Sequence, residues 1–265
     1  MSRITQRFKA LRARGESALI PFVTAGDPDL ETTEALVLAL EDAGADLIEI
    51  GVPFSDPIAE GPVIQRASER ALSRGTSLRQ VLELVSRLRD RVEVPLLLMG
   101  YVNPIFAMGA VNFSEAASQV GVDGIIVPDL PPEEGNELYS ASSAAGVDPV
   151  LLASPTTTPE RFRLLAEKTR GFLYYVSLTG VTGTRTSLAG GIEDGVRAAK
   201  ANGDIPVCVG FGVSSPEHAR EIGAYADGVV VGSAIVERVE RAPDGAAAVA
   251  DVSAFVAELK EPLRS

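Results

Sequence analysis

The feature that most limits the fold of this chain is a motif that recurs along its 265 residues. In each copy a helical pattern ends at glycine, and a short apolar, often β-branched run follows after a turn that contains aspartate. The turns are Gly44-Ala45-Asp46, Gly121-Val122-Asp123, Gly146-Val147-Asp148 and the segment 223–227. Glycine is favoured where a helix ends because it adopts the left-handed conformation, and aspartate is a frequent turn residue. Short apolar strands that alternate with helices indicate right-handed βαβ units and a parallel sheet.

The repeat predicts eight strands with helices between them. The strands are expected at 18–24, 46–51, 95–101, 124–128, 148–153, 172–177, 206–210 and 227–231. The helices are expected at 1–15, 30–43, 62–73, 77–91, 112–120, 133–145, 159–169, 192–202, 215–222, 233–239 and 246–259. Eight βα units close most simply into a (β/α)8 TIM barrel, an α/β fold, with additional N- and C-terminal helices. Residues 1–265 contain no linker, so a single domain is expected. An open, doubly wound sheet is the alternative fold, although no G-x-G-x-x-G motif follows the first strand.

Composition limits the partners and the compartment of the chain. A net charge of −12 and a pI near 4.7 argue against nucleic acid and against anionic membrane surfaces. No stretch approaches the ~20 apolar residues of a membrane span, and the basic N-terminal segment lacks the apolar core of a signal peptide, so a cytoplasmic protein is expected. Cys208, the single cysteine, lies in the apolar run 205–209 and is expected to be a buried structural thiol. With one cysteine and one histidine, His218, no metal site is expected.

The second predicted strand contains a carboxylate. Ile48 and Ile50 should face one side of the sheet, and Glu49 the other. If both faces are covered, a charged Glu49 without a partner would cost several kcal/mol, so the chain must give it a partner or a task. A second acid, Glu60, follows on the loop after this strand. The two carboxylates are either an acid/base pair or a salt-bridged core residue with an ordinary loop charge, and the residues alone leave both interpretations open.

Glycine-rich loops follow several predicted strands at the mouth of the barrel. Gly210 and Gly212 follow strand 7, and Gly232-Ser233 opens the helix after strand 8, which is where TIM barrels often bind phosphate through backbone amides. Ordinary turns are the alternative. The loop 178–191 after strand 6 is long and rich in glycine, and is expected to be either a lid or disordered. Phe22, Tyr101 and Tyr174 place aromatic rings at the strand ends, where they either contact a flat apolar ligand or pack in the core.

Four stretches of the sequence resemble the tryptophan synthase α-subunit family, and the resemblance covers essentially the whole chain. They are PFVTAGDP at 21–28, IEIGVPFSDPIAEGP at 48–62, GVTG at 180–183, and GFGVSSP with VGSAIV at 210–216 and 231–236. The resemblance implies a (β/α)8 barrel that cleaves indole-3-glycerol phosphate into indole and glyceraldehyde 3-phosphate by a retro-aldol reaction. It also implies that this subunit uses no cofactor.

Roles for individual residues follow from the same resemblance. Glu49 matches the catalytic glutamate, which protonates indole C3 and takes a proton from the glycerol hydroxyl. Glu60 matches the second acid near the indole N–H, where many relatives have aspartate. The implied substrate contacts are Phe22, Tyr101, Tyr174 and Thr182, with phosphate ligands at Gly183, Gly212, Gly232 and Ser233. Leu178 stands where some relatives have arginine, so the behaviour of the lid is expected to differ.

The family also implies a partner. An α subunit docks on a pyridoxal-phosphate β subunit, commonly as an α2β2 tetramer, and passes indole to it. Pro53, Phe54 and Asp56, on a loop expected to be exposed, and Thr182 are the implied contact and signalling residues. Two alternatives remain open on sequence: a mainly regulatory subunit with weak chemistry of its own, and a lyase that releases indole without a partner.

Overall fold

Eight parallel strands form a closed barrel in the described part of the chain. The computed structural model describes residues 1–176, 185–210 and 212–264, and for residues 185–190 it describes the backbone only. The strands are hydrogen-bonded in sequence order from β1 to β8, and β8 pairs with β1. Helices cover the outside, so the expected TIM barrel is confirmed.

The strands and helices have the following bounds. The strands are β1 (Ala18–Thr24), β2 (Ile48–Gly51), β3 (Leu96–Met99), β4 (Gly124–Ile126), β5 (Asp148–Ala153), β6 (Leu173–Val176), β7 (Val207–Gly210) and β8 (Gly228–Val231). The helices are α1 (Arg3–Arg14), α2 (Leu30–Asp42), α3 (Pro62–Ser73), α4 (Leu78–Arg89), α5 (Val102–Met108), α6 (Ala110–Val120), α7 (Asn136–Ala145), α8 (Pro159–Lys168), α9 (Arg185–Lys200), α10 (Pro216–Gly223), α11 (Ser233–Arg241) and α12 (Gly245–Lys260). None of the described helices is long and apolar enough to cross a membrane.

The alternation of side chains along the strands separates two apolar layers. Ile48 and Ile50 belong to the large cluster between the sheet and the helices, whereas Leu47 belongs to a smaller cluster inside the barrel. Helix α1 closes the amino-terminal end of this interior with one apolar face, and Phe8 contacts Phe172 of the interior with ring centroids 5.8 Å apart. Because that end is filled, access to the barrel interior is left at the carboxyl ends of the strands.

Three of the four aspartates of the repeated turns join neighbouring strands at their starts. The Asp46 carboxylate accepts the N–H of Leu19 in β1 at 2.8 Å. Asp123 accepts the N–H of Leu96 in β3 at 2.9 Å, and Asp227 accepts that of Val207 in β7 at 2.9 Å. Each carboxylate therefore satisfies a backbone donor at the edge of the sheet, which explains why the turn needs aspartate and not only a turn-forming residue.

Apart from shifts of up to three residues at helix ends, two helices differ from the prediction. Helix α5 is not among the predicted helices; Pro104 lies in its first turn, where the missing N–H removes no intrahelical bond. Helix α9 begins at Arg185, so residues 185–191, predicted as loop, are helical. Leu178, Thr182 and Gly183 lie outside the described residues.

Candidate active site

Glu49 lies inside the barrel, near the carboxyl end of β2. It pairs with Phe22 of β1 and Leu97 of β3 in the sheet register. The residue is 1% exposed, and neither carboxylate oxygen has a hydrogen-bond partner among the described residues. The interpretation of Glu49 as a salt-bridged core residue is therefore wrong.

Burial controls the ionisation of Glu49. Loss of hydration raises the pKa of its carboxyl to about 8, and the negative charge of Glu60 acts in the same direction. The pKa of Tyr174 is also raised, first by its own burial and then by the charge of Glu49. A carboxyl with a pKa near neutrality can both donate and accept a proton under physiological conditions, which is the property required of an acid/base catalyst.

Glu60 lies on the loop before α3 and is held by Tyr101. The Tyr101 hydroxyl donates to Glu60 Oε2 and accepts the backbone N–H of Ala59 at 2.8 Å. Burial raises the pKa of Glu60, the hydrogen bond from Tyr101 lowers it, and the charge of Asp129 adds a smaller upward contribution. The ring of Tyr101 stacks on Phe54, with centroids 4.9 Å apart and planes 22° from parallel.

A small cavity adjoins Glu60 at the mouth of the barrel. Its lining includes Phe22, Thr24, Phe54, Glu60, Met99 and Tyr101. The Phe22 ring extends over Gly51, since a Cβ on that glycine would lie 2.4 Å from Phe22 Cζ. Gly51 faces the same side as Glu49, two residues further along β2. An aromatic ligand in this cavity would therefore lie beside Glu60, against the rings of Phe22 and Tyr101.

Helix α11 begins beside this cavity. Among the described residues no side chain caps its N-terminus at Gly232, and its first turn contains no acidic residue. A Cβ on Gly232 would lie 3.7 Å from atoms of Phe22, so the start of the helix and the aromatic lining are in contact. Ser233 is exposed at the first helical position, and Gly212 adopts a left-handed conformation with φ +74°. Free N–H groups at a helix N-terminus favour an anion such as phosphate.

Comparisons with known proteins agree with this geometry. The sequence profile of the family described as tryptophan synthase alpha chain matches residues 8–264. A relative of that name from Geobacter sp. (strain M21) is 52% identical over 261 residues, 98% of this chain and 97% of the relative. Another from Citrifermentans bemidjiense is 53% identical over 261 residues, with 98% and 97% covered.

Solved structures of tryptophan synthase chains superpose on this chain over nearly its whole length. Tryptophan synthase subunit alpha from Legionella pneumophila str. Paris superposes with a TM-score of 0.91 at 37% identity, covering 99% of this chain and 98% of that chain. The chain belongs to the tryptophan synthase alpha chain family. A chain of tryptophan synthase from M. tuberculosis, in an aminoacrylate-bound form, superposes with a TM-score of 0.89 at 35% identity, covering 99% and 100%.

Membership of the tryptophan synthase alpha chain family confirms the resemblance drawn from the four sequence stretches and the lyase activity that accompanies it. Phe22, Glu60, Tyr101 and Gly232 lie together at one end of the barrel, as a shared substrate site requires. Tyr174 lies against Gly210, because a Cβ on that glycine would be 2.3 Å from the tyrosine hydroxyl.

One expectation about the loop after β2 is wrong. Pro53 is buried, Phe54 is half-buried, and among the three implied contact residues only Asp56 is exposed. Pro53 follows Val52, whose N–H still bonds to Met99 of the sheet at 2.7 Å, so this part of the loop remains packed on the barrel. Ile58 is the large apolar residue that the described part of this loop exposes, at 83%.

The sequence did not predict that Thr24 and Asp129 would lie at the site. Thr24 lines the cavity, and its buried hydroxyl has no hydrogen-bond partner among the described residues. The alternation along β1 could have identified it, since Thr24 shares the inner face with Phe22. No local signal identifies Asp129, which accepts the N–H of Val102 at 3.0 Å. Across the described residues, no group of three or more His, Cys, Asp or Glu is arranged to hold a metal ion.

Proposed function

We propose that the barrel mouth cleaves indole-3-glycerol phosphate by a retro-aldol reaction in which Glu49 is both acid and base. The protonated carboxyl of Glu49 donates its proton to indole C3, which leaves a positive charge on the ring. The resulting carboxylate takes the proton of the hydroxyl on the glycerol carbon bonded to C3. The carbon–carbon bond then breaks, its electrons return to the ring, and indole and glyceraldehyde 3-phosphate form. Glu49 ends the cycle protonated, as it began.

The observation that carries this proposal is the environment of Glu49. The Glu49 carboxyl is 1% exposed, lacks a hydrogen-bond partner among the described residues and has a pKa near 8. No structural contact of the described residues therefore offsets the free-energy cost of burying it. Such groups are concentrated at active sites, where burial is used to adjust a pKa to a proton-transfer task.

Glu60 acts as the second catalytic acid in this proposal. As a carboxylate near the indole N–H it stabilises the positive charge that develops on the ring after C3 is protonated. Its place in the lining of the cavity, beside the aromatic rings of Phe22 and Tyr101, supports this role. The phosphate is bound by Gly212, Gly232 and Ser233 together with Gly183, and Thr182 contributes from the loop after β6.

The partner in this proposal is a β subunit that carries pyridoxal phosphate, in an α2β2 complex, while the chain itself uses no cofactor and works in the cytoplasm. Support comes from the aminoacrylate-bound tryptophan synthase whose chain superposes on this one. The exposed residues Asp56 and Ile58, next to the cavity, provide the surface for docking. Indole formed at the mouth would leave the barrel beside this surface.

Glu49→Gln tests the proposal, with Glu115→Gln on the exposed face of α6 as a matched control. Indole release should fall at least a thousandfold in the first variant and stay unchanged in the second. The affinity for glycerol 3-phosphate should remain within about threefold of wild type in both, because the phosphate contacts are not altered. Retention of turnover by Glu49→Gln would remove Glu49 from the reaction.

The same assay, with and without a purified β subunit, separates the three kinds of subunit that the sequence left open. Slow release alone that rises with the partner supports the proposal. Fast release without the partner indicates an independent lyase, and no release in either case indicates a regulatory subunit.

A further inference from the structure

The hydroxyl of Tyr101 forms two hydrogen bonds to the segment that carries the second acid. It accepts the N–H of Ala59 at 2.8 Å and donates to the carboxylate of the next residue, Glu60. One hydroxyl therefore fixes both the backbone at residue 59 and the direction of the Glu60 side chain. The Glu60 backbone carbonyl is held separately by Gln65 Nε2 at 2.9 Å.

Tyr101 itself is anchored to the barrel. It is 3% exposed and precedes the first residue of α5, Val102, whose N–H donates to Asp129 at 3.0 Å. The segment it binds is more accessible, since Ala59 is exposed and Ile58 is 83% exposed. The hydrogen bonds thus run from a fixed tyrosine to a surface loop.

Phe54 connects the other end of the same loop to Tyr101. Its ring stacks on the tyrosine ring with centroids 4.9 Å apart, while Ser55 and Asp56 beside it are exposed. A movement of this loop would therefore displace the stack, which is one of the contacts that hold the Tyr101 ring in place. Offset aromatic pairs of this kind contribute beyond their buried area, so the contact is more than passive packing.

We propose that Tyr101 is a positioning residue for the second acid: its hydroxyl holds the Glu60 carboxylate in one rotamer, and its stack on Phe54 couples that rotamer to the position of the loop 53–59. The inference rests on the proposed catalytic role of Glu60.

The length of the Glu60 side chain gives this arrangement its physical reason. Glutamate has one more rotatable bond than aspartate and loses more conformational freedom when it is fixed. A loop glutamate without a donor would sample several rotamers and hold its charge near the indole ring only part of the time. The hydrogen bond from Tyr101 selects one of them.

Ionisation supports the direction of the hydrogen bond. Burial is the largest contribution that raises the pKa of the Tyr101 hydroxyl, so it stays protonated and donates. This donation lowers the pKa of Glu60 against the effect of burial and of Asp129. The charge of Glu60 also acts on Glu49 and on Tyr174. Among the described residues, the titratable groups that interact with Glu60 are therefore Tyr101, Asp129, Glu49 and Tyr174.

Tyr101→Phe removes the hydroxyl and keeps the ring. We expect kcat for indole release to fall at least tenfold, with KM within threefold, because the phosphate contacts are unchanged. The acid limb of the kcat/KM profile should move to higher pH, since Glu60 loses the donor that lowers its pKa. Tyr139→Phe is the matched control: it also loses a buried hydroxyl bond, to the Leu130 carbonyl at 2.6 Å, and should leave the acid limb in place.

Introducing Glu60→Gln into the wild-type chain and into the Tyr101→Phe variant distinguishes positioning from a general effect on the fold. If Tyr101 acts through Glu60, Tyr101→Phe costs less than twofold in kcat once Glu60 is glutamine. Phe54→Leu should also lower kcat. In the double variant the decrease in kcat should be no larger than that of Tyr101→Phe alone.

Three results would overturn the inference. They are an unchanged acid limb in Tyr101→Phe, an equal cost of that substitution with and without Glu60, and full additivity with Phe54→Leu. Full activity of Glu60→Gln alone is a different result, because it would reject the proposed role of Glu60 and not the coupling through Tyr101.

Discussion

At the scale of single residues, the two acids at the barrel mouth differ in what determines their charge. Glu49 is buried without a hydrogen bond from the described residues, so desolvation raises its pKa to about 8. Glu60 receives a hydrogen bond from Tyr101 that opposes the effect of burial. Environments that separate the pKa values of two neighbouring carboxyls assign one to the protonated and the other to the ionised role.

This separation predicts a bell-shaped dependence of kcat/KM on pH. The reaction requires protonated Glu49, so the rate should fall as the pH rises through about 8. It also requires ionised Glu60, so the rate should fall again on the acid side, at a pH above the ordinary range of a glutamate because burial raises the pKa of Glu60. Steady-state indole release across pH 5 to 10 measures both limbs. A rate that still rises above pH 9 would contradict the assignment of Glu49.

Glu49 should also make stability depend on pH. Its pKa in the folded chain, about 8, lies above the ordinary value of 4.5, so the folded state binds more protons between these values and stability falls as pH rises through that window. The total loss is on the order of 3–5 kcal/mol. Urea unfolding of wild type and Glu49→Gln at pH 5 and pH 9 tests this, because the variant lacks this linkage and should gain stability relative to wild type at pH 9. An equal change in unfolding free energy between pH 5 and pH 9 in wild type and Glu49→Gln would contradict the raised pKa of Glu49.

At the scale of elements, one end of the barrel is sealed and the other is left for chemistry. Helix α1 fills the amino-terminal end with Ile4, Phe8 and Leu11. At the opposite end α11 starts beside Phe22, and no side chain of the described residues caps its first N–H groups. A helix of nine residues thus serves both as packing for the barrel and as a source of partial positive charge.

Ser233→Asp separates these two properties of α11. An acidic residue in the first turn should stabilise the helix by about 0.3–1 kcal/mol through the helix dipole. The same charge should repel phosphate and raise KM for indole-3-glycerol phosphate at least tenfold. Thermal unfolding and glycerol 3-phosphate titration check the two effects, with Ser233→Ala as the control without charge. Unchanged phosphate affinity in Ser233→Asp would place the anion elsewhere.

At the scale of the whole molecule, a net charge of −12 has to coexist with an anionic substrate. Backbone amides at a helix start can bind phosphate without a lysine or arginine beside it, and this keeps the site compatible with an acidic surface. Docking of a partner is a separate matter, for which the exposed apolar residue Ile58 at the mouth is the main candidate.

Ile58→Asp should weaken binding to a β subunit and reduce its stimulation of indole release. Loss of an apolar anchor at an interface costs about 1–2 kcal/mol, which is roughly tenfold or more in affinity. Ala10→Asp, an exposed position on α1 at the opposite end of the barrel, adds the same charge and should have no effect. Calorimetric titration with the β subunit measures both. Equal affinities for the two variants would exclude the loop after β2 as the docking surface.

Local sequence patterns were sufficient to predict the barrel and the face of β2 on which Glu49 lies. The strands are short and apolar, the turns before them carry glycine and aspartate, and the period of two in β2 places Glu49 opposite Ile48 and Ile50. These are properties of neighbouring residues, so they can be read without knowing the fold. The family was recognisable for the same reason, because its motifs are contiguous stretches.

The tertiary structure alone decided which groups surround the two acids. Tyr101 is 41 residues from Glu60 in sequence, yet the barrel brings its hydroxyl to that carboxylate. The burial of Pro53 and the absence of a hydrogen-bond partner for Glu49 among the described residues also depend on packing between distant segments. The sequence determined which residue types could perform the chemistry. Closure of the barrel set their hydration and contacts, and hence their pKa values, because desolvation depends on everything that packs around a group and not on its neighbours in the chain.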